Sequence, residues 1–374
     1  MRFDLDDDER ALREAAADAL SRTPTVALAR DALEDPAARP DLWPTAVQAG
    51  WPGLLVGEDA GGAGLGVRAS ALVLREAGAR LAGTGLLGHL PSSALLAAAG
   101  HALTAPVATG TVRAALAGAL PPGDLEPRWT VDRPAGSARA AVPSLAADGT
   151  LSGLVAWVPD APGADVLLVT ATDPDGAPCA ALVHAGAPGV TVEPVAAYDA
   201  SASLAHVHLD GAEAERLDAL GARELARAWQ TAQVLLAAEA VGAVGSALDA
   251  SVAYAQERWT FGRPIGSYQA VKHGLVEVLR LRENADGLLT YGAWALDEDS
   301  PEAPLAAAAA RAAAGHALDV AARTMIAVHG GIGATWEHDA PLFFRRAQTH
   351  RRLLGGEAAA VDRVAGELLA GATV

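Results

Sequence analysis

A chain of 374 residues, 51% hydrophobic and 20% charged, can fill more than one core, and at roughly 100–200 residues per domain two or three domains are expected. Its formal net charge of −17 disfavours non-specific binding to nucleic acid or to an anionic membrane, so an anionic ligand needs a local basic patch. The single cysteine, Cys179, excludes an internal disulfide and fits a reducing cytoplasm, and it reads as a small buried residue. At the N-terminus Asp4, Asp6, Asp7, Asp8 and Glu9 are the opposite of a signal peptide, and no run reaches the ~18 apolar residues of a membrane helix. Glu9 to Leu20 follows as an acidic, Ala-rich amphipathic pattern, then Pro24, Pro36, Pro40 and Pro44 punctuate the chain. The Gly-rich run from Glu58 to Gly66 lacks the Lys-Ser/Thr ending of a phosphate loop and reads as a connector. Helical spacing resumes with Leu72, Leu74 and Leu81.

Around residue 116 the texture changes to short apolar runs between Pro, Gly and Asp clusters. Examples are Val166 to Thr170, Ala180 to His184 and Val190 to Glu193, which indicate a β-domain. His206 and His208 share one face of a strand, but no third ligand has a convincing spacing, so no metal site is expected. From about 221 helices return. Leu225, Trp229, Ala232, Leu236, Ala240, Val244, Leu248 and Val252 keep a spacing of three or four over a very long helix, broken by Pro264 and Gly266. Ser267 is expected to cap the next helix, Ser300-Pro301 opens an Ala-rich one that Gly330-Gly331 stops, and Thr335 is expected to cap another, carrying Arg345, Arg346, Arg351 and Arg352. These arginines suit either an anionic phosphate or a solvated helix face. The fold class is therefore α+β multidomain: an N-terminal helical domain (1–115), a central β-sandwich or barrel domain (116–212) and a C-terminal antiparallel helical bundle (213–374).

Two segments carry chemistry. Arg258-Trp259-Thr260-Phe261-Gly262-Arg263-Pro264-Ile265-Gly266, with Gln269, offers a fixed cation, aromatics, a hydroxyl and an amide; His329-Gly330-Gly331-Ile332-Gly333, with Thr335-Trp336-Glu337-His338, offers backbone N–H groups that a phosphate can approach closely. Together, and with the three-part order of domains, they resemble the acyl-CoA dehydrogenase family over essentially the whole chain. The Gly50-Trp51 and Glu58-x-x-Gly61-Gly62 segment is similar to that family's N-terminal domain. The resemblance implies an FAD-dependent flavoprotein that oxidises an acyl thioester across its α and β carbons, with Arg258, Thr260, Phe261, Gln269, His329, Gly330 and Gly331 clamping the adenosine diphosphate part of a neighbouring subunit's FAD.

The other half of the expected site is poorly kept. The family positions for the catalytic glutamate fall, by counting, on Leu354 and Ala232, neither of which can take a proton, and Gln233 stands where some members have an arginine. The flavin-lining run is reduced to Arg133-Pro134-Ala135-Gly136-Ser137-Ala138, and the usual Trp-x-Thr is Trp157-Val158-Pro159. The resemblance thus implies a base-lacking partner in a heterotetramer with a related subunit, self-association into a homodimer or homotetramer being the other arrangement. It also implies an acyl-CoA or acyl-carrier substrate and an electron-transfer flavoprotein or other acceptor. The alternative is a stand-alone enzyme of secondary metabolism on this fold, either with Glu357, three positions past Leu354, as a relocated base or with non-redox chemistry such as cyclisation or elimination. Glu239 reads as a polar contact within the bundle and Asp339 and His338 as capping residues. A third reading is a flavin-free structural subunit.

Overall fold

The fold is described from a computed structural model, covering residues 4–123, 125–135, 139–195 and 198–371. The first helices are α1 (Asp7–Ser21), α2 (Thr25–Asp31), α3 (Trp43–Gln48), α4 (Gly66–Ala79), α5 (Leu86–Ala98) and α6 (Thr104–Ala108). The acidic start has a structural use: Asp6 caps α1, accepting from the Glu9 N–H, while the Glu9 carboxylate accepts from the Asp6 N–H.

Strands follow: β1 (Ala114–Ala117), β2 (Thr130–Asp132), β3 (Arg139–Ala141), β4 (Ser144–Leu145), β5 (Thr150–Pro159), β6 (Val166–Thr172), β7 (Pro178–His184), β8 (Val190–Pro194), β9 (Leu204–Glu213) and β10 (Glu215–Arg216). The main sheet runs β10-β7-β6-β4-β5-β9-β8, with β1 parallel to β6, and β2 pairs with β3 alone. Alternation explains its place. Leu167, Val169 and Ala171 of β6 face a core belonging to the sheet, whereas Val166 and Leu168 join the core of the helices. The sheet is therefore apolar on both faces.

The bundle consists of α7 (Ala222–Glu257), a two-residue hairpin of β11 (Trp259–Thr260) and β12 (Arg263–Pro264), then α8 (Gln269–Asp297), α9 (Ala303–His329), α10 (Ala340–His350) and α11 (Gly356–Gly371). Three caps differ from expectation. Ser300 accepts from the Glu302 N–H at 3.2 Å in a turn ahead of α9, which starts at Ala303 with no side-chain cap. Ser267 lies in a 3₁₀ turn and donates to the Pro264 carbonyl, so α8 starts after Tyr268 with no side-chain cap. Thr335 likewise ends a 3₁₀ turn, donating to Ile332, and α10 begins only at Ala340, beside Pro341. In addition, α10 stops at His350, short of Arg351 and Arg352, which the sequence places on it. α7 is the one helix among the described residues apolar and long enough to cross a membrane, but 89% of its apolar window is buried inside the protein.

Small residues let α7 press against α4. A Cβ on Gly78 would stand 1.9 Å from the Glu239 carbonyl oxygen, and one on Gly242 1.9 Å from that of Arg75. The two backbones cross in contact, which fixes the helical domain on the bundle. Gly242→Ala should therefore cost about 1–3 kcal/mol by overpacking, lowering the thermal unfolding midpoint. Gly287→Ala, on α8 with open space around it, should gain about 0.5–1 kcal/mol from helix propensity.

Candidate functional site

The two glycine- and arginine-bearing segments meet at one end of the bundle. Arg258 terminates α7, its N–H donating to the Tyr254 carbonyl at 2.8 Å, and its own carbonyl accepts from Ile265 at 2.7 Å. Phe261 (φ 47°) and Gly262 (φ 78°) make the hairpin turn with both central residues left-handed, the geometry that matches strand twist. A phenylalanine is strained there, and its ring is 95% exposed. The Tyr268 hydroxyl donates to the Thr260 carbonyl at 3.1 Å, and the Arg263 guanidinium stacks on the Tyr268 ring at 4.0 Å, pinning the turn. Gln269 opens α8 on the exposed side.

His329 is the last residue of α9, and its Nδ1–H donates to the Met325 carbonyl at 2.7 Å. Its ring lies 4.4 Å from that of Tyr254 and 4.2 Å from that of His338, centroid to centroid. Tyr254 thus ties both segments together, by its carbonyl to Arg258 and by its ring to His329. Gly330 (φ 63°) and Gly331 follow in the open, where an added Cβ would meet nothing within 4 Å. The Arg258 guanidinium has no hydrogen-bond or ion-pair partner among the described residues. The Gly330 N–H is spent on the Ile326 carbonyl at 3.0 Å, which leaves that of Gly331 open; a cation, that N–H and an exposed ring fit a dinucleotide phosphate with an adjoining aromatic base.

Leu354 and Ala232 lie elsewhere. Both are buried in the helical core, and Leu354 is 8% exposed. Leu354 (φ 52°), Gly355 (φ 83°) and Gly356 (φ 78°) form a left-handed turn, held by buried Arg311, which donates to the carbonyls of His350 and Leu353. Beside this turn the carboxylate of Asp132 pairs with Arg139 at 2.7 Å; Arg139 Nε also donates to Thr130 Oγ1 at 2.6 Å. Burial raises the Asp132 pKa, against the pull of Arg139. The Trp157 indole N–H donates to the Arg133 carbonyl at 3.0 Å, and Trp157 itself is left-handed (φ 58°). Residues 136–138 lie outside the described residues. A cleft of about 680 Å³ remains here, and Trp157, Arg133, Arg352 and Glu357 line it. Glu357 sits in the first turn of α11, 3.7 Å from Arg351 and 3.9 Å from His316.

Other residues take parts the sequence did not disclose. Arg346 is buried, so neither a phosphate site nor a solvated face holds for it. Its Nε donates to Asp199 at 2.6 Å, one Nη to Ser201 at 2.7 Å, and the other stands 3.6 Å from Glu239. Its partner Asp199 lies outside the helices, a pairing no local pattern announces. Arg345 stacks between Tyr198 at 4.2 Å and Trp336 at 5.1 Å. Glu239 also meets His350 at 3.3 Å, and burial pushes Glu239 up to about 7 despite Arg346. Burial, then Arg346, holds His350 well below the ordinary imidazole value. His338 accepts from the Ala340 N–H; Asp339, in the N-cap position, makes no side-chain cap and pairs with Arg30. His208 pairs with Glu193 at 2.9 Å, and His206 accepts from the Trp157 N–H at 3.3 Å.

Comparison with known proteins agrees with this layout. Residues 6–102 match the acyl-CoA dehydrogenase N-terminal domain and residues 221–369 the acyl-CoA dehydrogenase C-terminal domain. The acyl-CoA dehydrogenase IpdE2 of Mycobacterium tuberculosis is 30% identical over 370 residues, covering 97% of this chain and 98% of that protein. The acyl-CoA dehydrogenase FadE34 of the same organism is 41% identical over 184 residues, 49% of this chain but only 25% of FadE34. Among solved structures, the ChsE4-ChsE5 complex from Mycobacterium tuberculosis superposes with a TM-score of 0.83 at 25% identity, over 99% of each chain.

The Glu239 cluster sets a pH test. Between the ordinary carboxylate value and about 7 the folded chain keeps a proton on Glu239 that the unfolded chain has lost, so this group makes stability fall as pH rises through that window. Glu239→Gln lacks the effect, while His350, Asp160, Asp199 and Arg346 stay in both proteins. The unfolding midpoint of Glu239→Gln relative to the parent should therefore rise between about pH 5 and about pH 8; thermal melts across that range check it.

Proposed function

The chain belongs to the acyl-CoA dehydrogenase family, and from that membership we propose that it serves the α,β-dehydrogenation of an acyl thioester as the base-lacking subunit of a heteromer. It completes, across the interface, the FAD site of a related chain. The observation that carries this reading is the contrast between its two ends. The Arg258–Gln269 and His329–Gly331 segments are open, whereas the positions expected for a base hold Leu354 and Ala232, packed in hydrocarbon. From Ala232 to Arg258 the same helix rises about 39 Å, at 1.5 Å per residue, beyond the reach of one flavin dinucleotide. The open end therefore serves a cofactor whose reactive ring lies in another subunit. The ChsE4-ChsE5 complex, a two-component assembly on this fold, supports that arrangement.

In this reading FAD, when bound, supplies the acceptor for the hydride from the β-carbon. This chain's part is binding. Arg258 opposes the pyrophosphate charge, the Gly331 N–H donates to a phosphate oxygen that side-chain-free Gly330 lets come close, Phe261 covers the adenine and Gln269 fixes a polar edge. The α-proton goes to a carboxylate of the partner subunit. The substrate is an acyl-CoA or a carrier-bound acyl thioester, and an electron-transfer flavoprotein or another acceptor takes the electrons onward. A second reading, a stand-alone enzyme with Glu357 as base, is favoured by one observation: Glu357 lines the same cleft as Trp157.

The test is to purify the chain alone and together with a related subunit encoded beside it. Alone it should hold no flavin; together they should be yellow and oxidise acyl-CoA. In the complex, Arg258→Gln should weaken flavin retention about tenfold or more, the worth of a lost charge-assisted contact, while Glu357→Gln leaves turnover unchanged. Full flavin occupancy and acyl-CoA oxidation by the lone chain, abolished by Glu357→Gln, would select the second reading. A colourless complex whose partner binds FAD normally by itself would make the chain a structural subunit.

A further inference from the structure

A second basic site lies on the opposite flank of α7. Where α4 crosses α7, the two helices and the adjoining flanks of α1 and α8 leave a crevice of about 450 Å³. It shares no lining residue with the cleft beside Trp157 or with the Arg258 and His329 segments. In a chain of net charge −17, its walls carry four arginines, Arg13, Arg75, Arg80 and Arg282, against two carboxylates, Glu76 and Asp249. The pairing among them is incomplete. Arg75 is neutralised by Asp286 at 2.6 Å and Arg80 by Glu76 at 2.8 Å. Arg13 has no ion-pair or hydrogen-bond partner among the described residues, and Arg282 comes no nearer to a carboxylate than 3.9 Å, to Glu283. The Nε of Arg282 is also buried with no acceptor. A buried N–H left unpaired costs about 1–3 kcal/mol, and the built answer to such a group is an acceptor in the space beside it.

The space is there because of sequence. Gly242 lets α7 and α4 meet, and Gly245, one turn on, keeps the wall flat under the Arg282 guanidinium, where an added Cβ would come 3.7 Å from Nε. Ser246 lines the wall with its hydroxyl already spent on the Ala79 carbonyl at 2.7 Å. Asp249 stands exposed at the rim. One unpaired guanidinium, Arg13, and one only loosely paired, Arg282, over a recess of this size suit a dianionic tetrahedral group better than a carboxylate, since a phosphoryl oxygen set can accept from both forks at once.

We propose that this crevice, walled by Arg13 on α1 and Arg282 on α8, binds a phosphoryl group, separately from the dinucleotide clamp. The same chemistry would come from free phosphate or from the phosphates of a CoA ester, and the experiment separates these sources. The purified full chain is titrated calorimetrically at constant ionic strength with inorganic phosphate and, in a second arm, with CoA. Arg258→Gln serves as the background that removes the clamp. Saturable binding is expected to survive Arg258→Gln and to weaken about tenfold or more in Arg282→Gln and in Arg13→Gln. Arg13 makes no ion pair, so its replacement leaves the fold intact should Arg282→Gln prove unstable. Phosphate binding identifies the free ion as a sufficient ligand; binding by CoA alone, with the same two losses, assigns the site to the ester's phosphates. No saturable binding of either, or binding equal in the parent and both crevice variants, overturns the proposal.

Discussion

The rest of the structure depends on one unbroken helix. α7 is 36 residues long, about 54 Å at 1.5 Å per residue, and its middle is packed on nearly every side. Gly78 and Gly242 bring α4 into backbone contact with it, Trp229 anchors its beginning between Gly118 and Gly355, and Tyr254 anchors its end against His329. A helix so held cannot bend to bring its two ends to one ligand. What stands at one end therefore acts on a different molecule, or a different part of one, from what stands at the other.

This rigidity gives the residue differences their meaning. At the Arg258 end the features that would suit an anion are solvent-facing: a guanidinium without a partner among the described residues, two open glycines and an exposed ring on a strained turn. At the Leu354 end polar groups are spent on one another, as in Asp132 with Arg139, and the core closes with leucine and alanine. The left-handed turn at Leu354 is kept in place by buried Arg311, so the backbone of that corner is built with care although the side chain on it is inert.

Much of this was legible in the sequence. Spacing of three or four marked the long helices because their buried faces are continuous, and short apolar runs between turn residues marked the strands of a sheet apolar on both faces. The paired segments around Arg258 and His329 were legible because each packs several special residues into a short stretch. What was not legible is what depends on distant partners. Ser267 and Thr335 fit the local rule for a cap, yet turns set by Pro264 and by the Gly330–Ala334 loop claimed them first. Arg346 reads as one of a run of surface arginines, and only the arrival of Asp199 and Ser201 from outside the bundle buries it. The joining of the two segments through Tyr254, and the pairing of Asp132 with Arg139 beside the Trp157 cleft, are tertiary contacts without a periodic signature.

The central claim is that this chain lends one end to a flavin and has no working ring site of its own. The most direct measurement is the ratio of flavin to polypeptide in the purified assembly of this chain with its related subunit, from flavin absorbance against amino-acid analysis. The account predicts one flavin for every two chains. One flavin for every chain would contradict it, because the corner at Leu354 and Trp157 would then hold a cofactor after all.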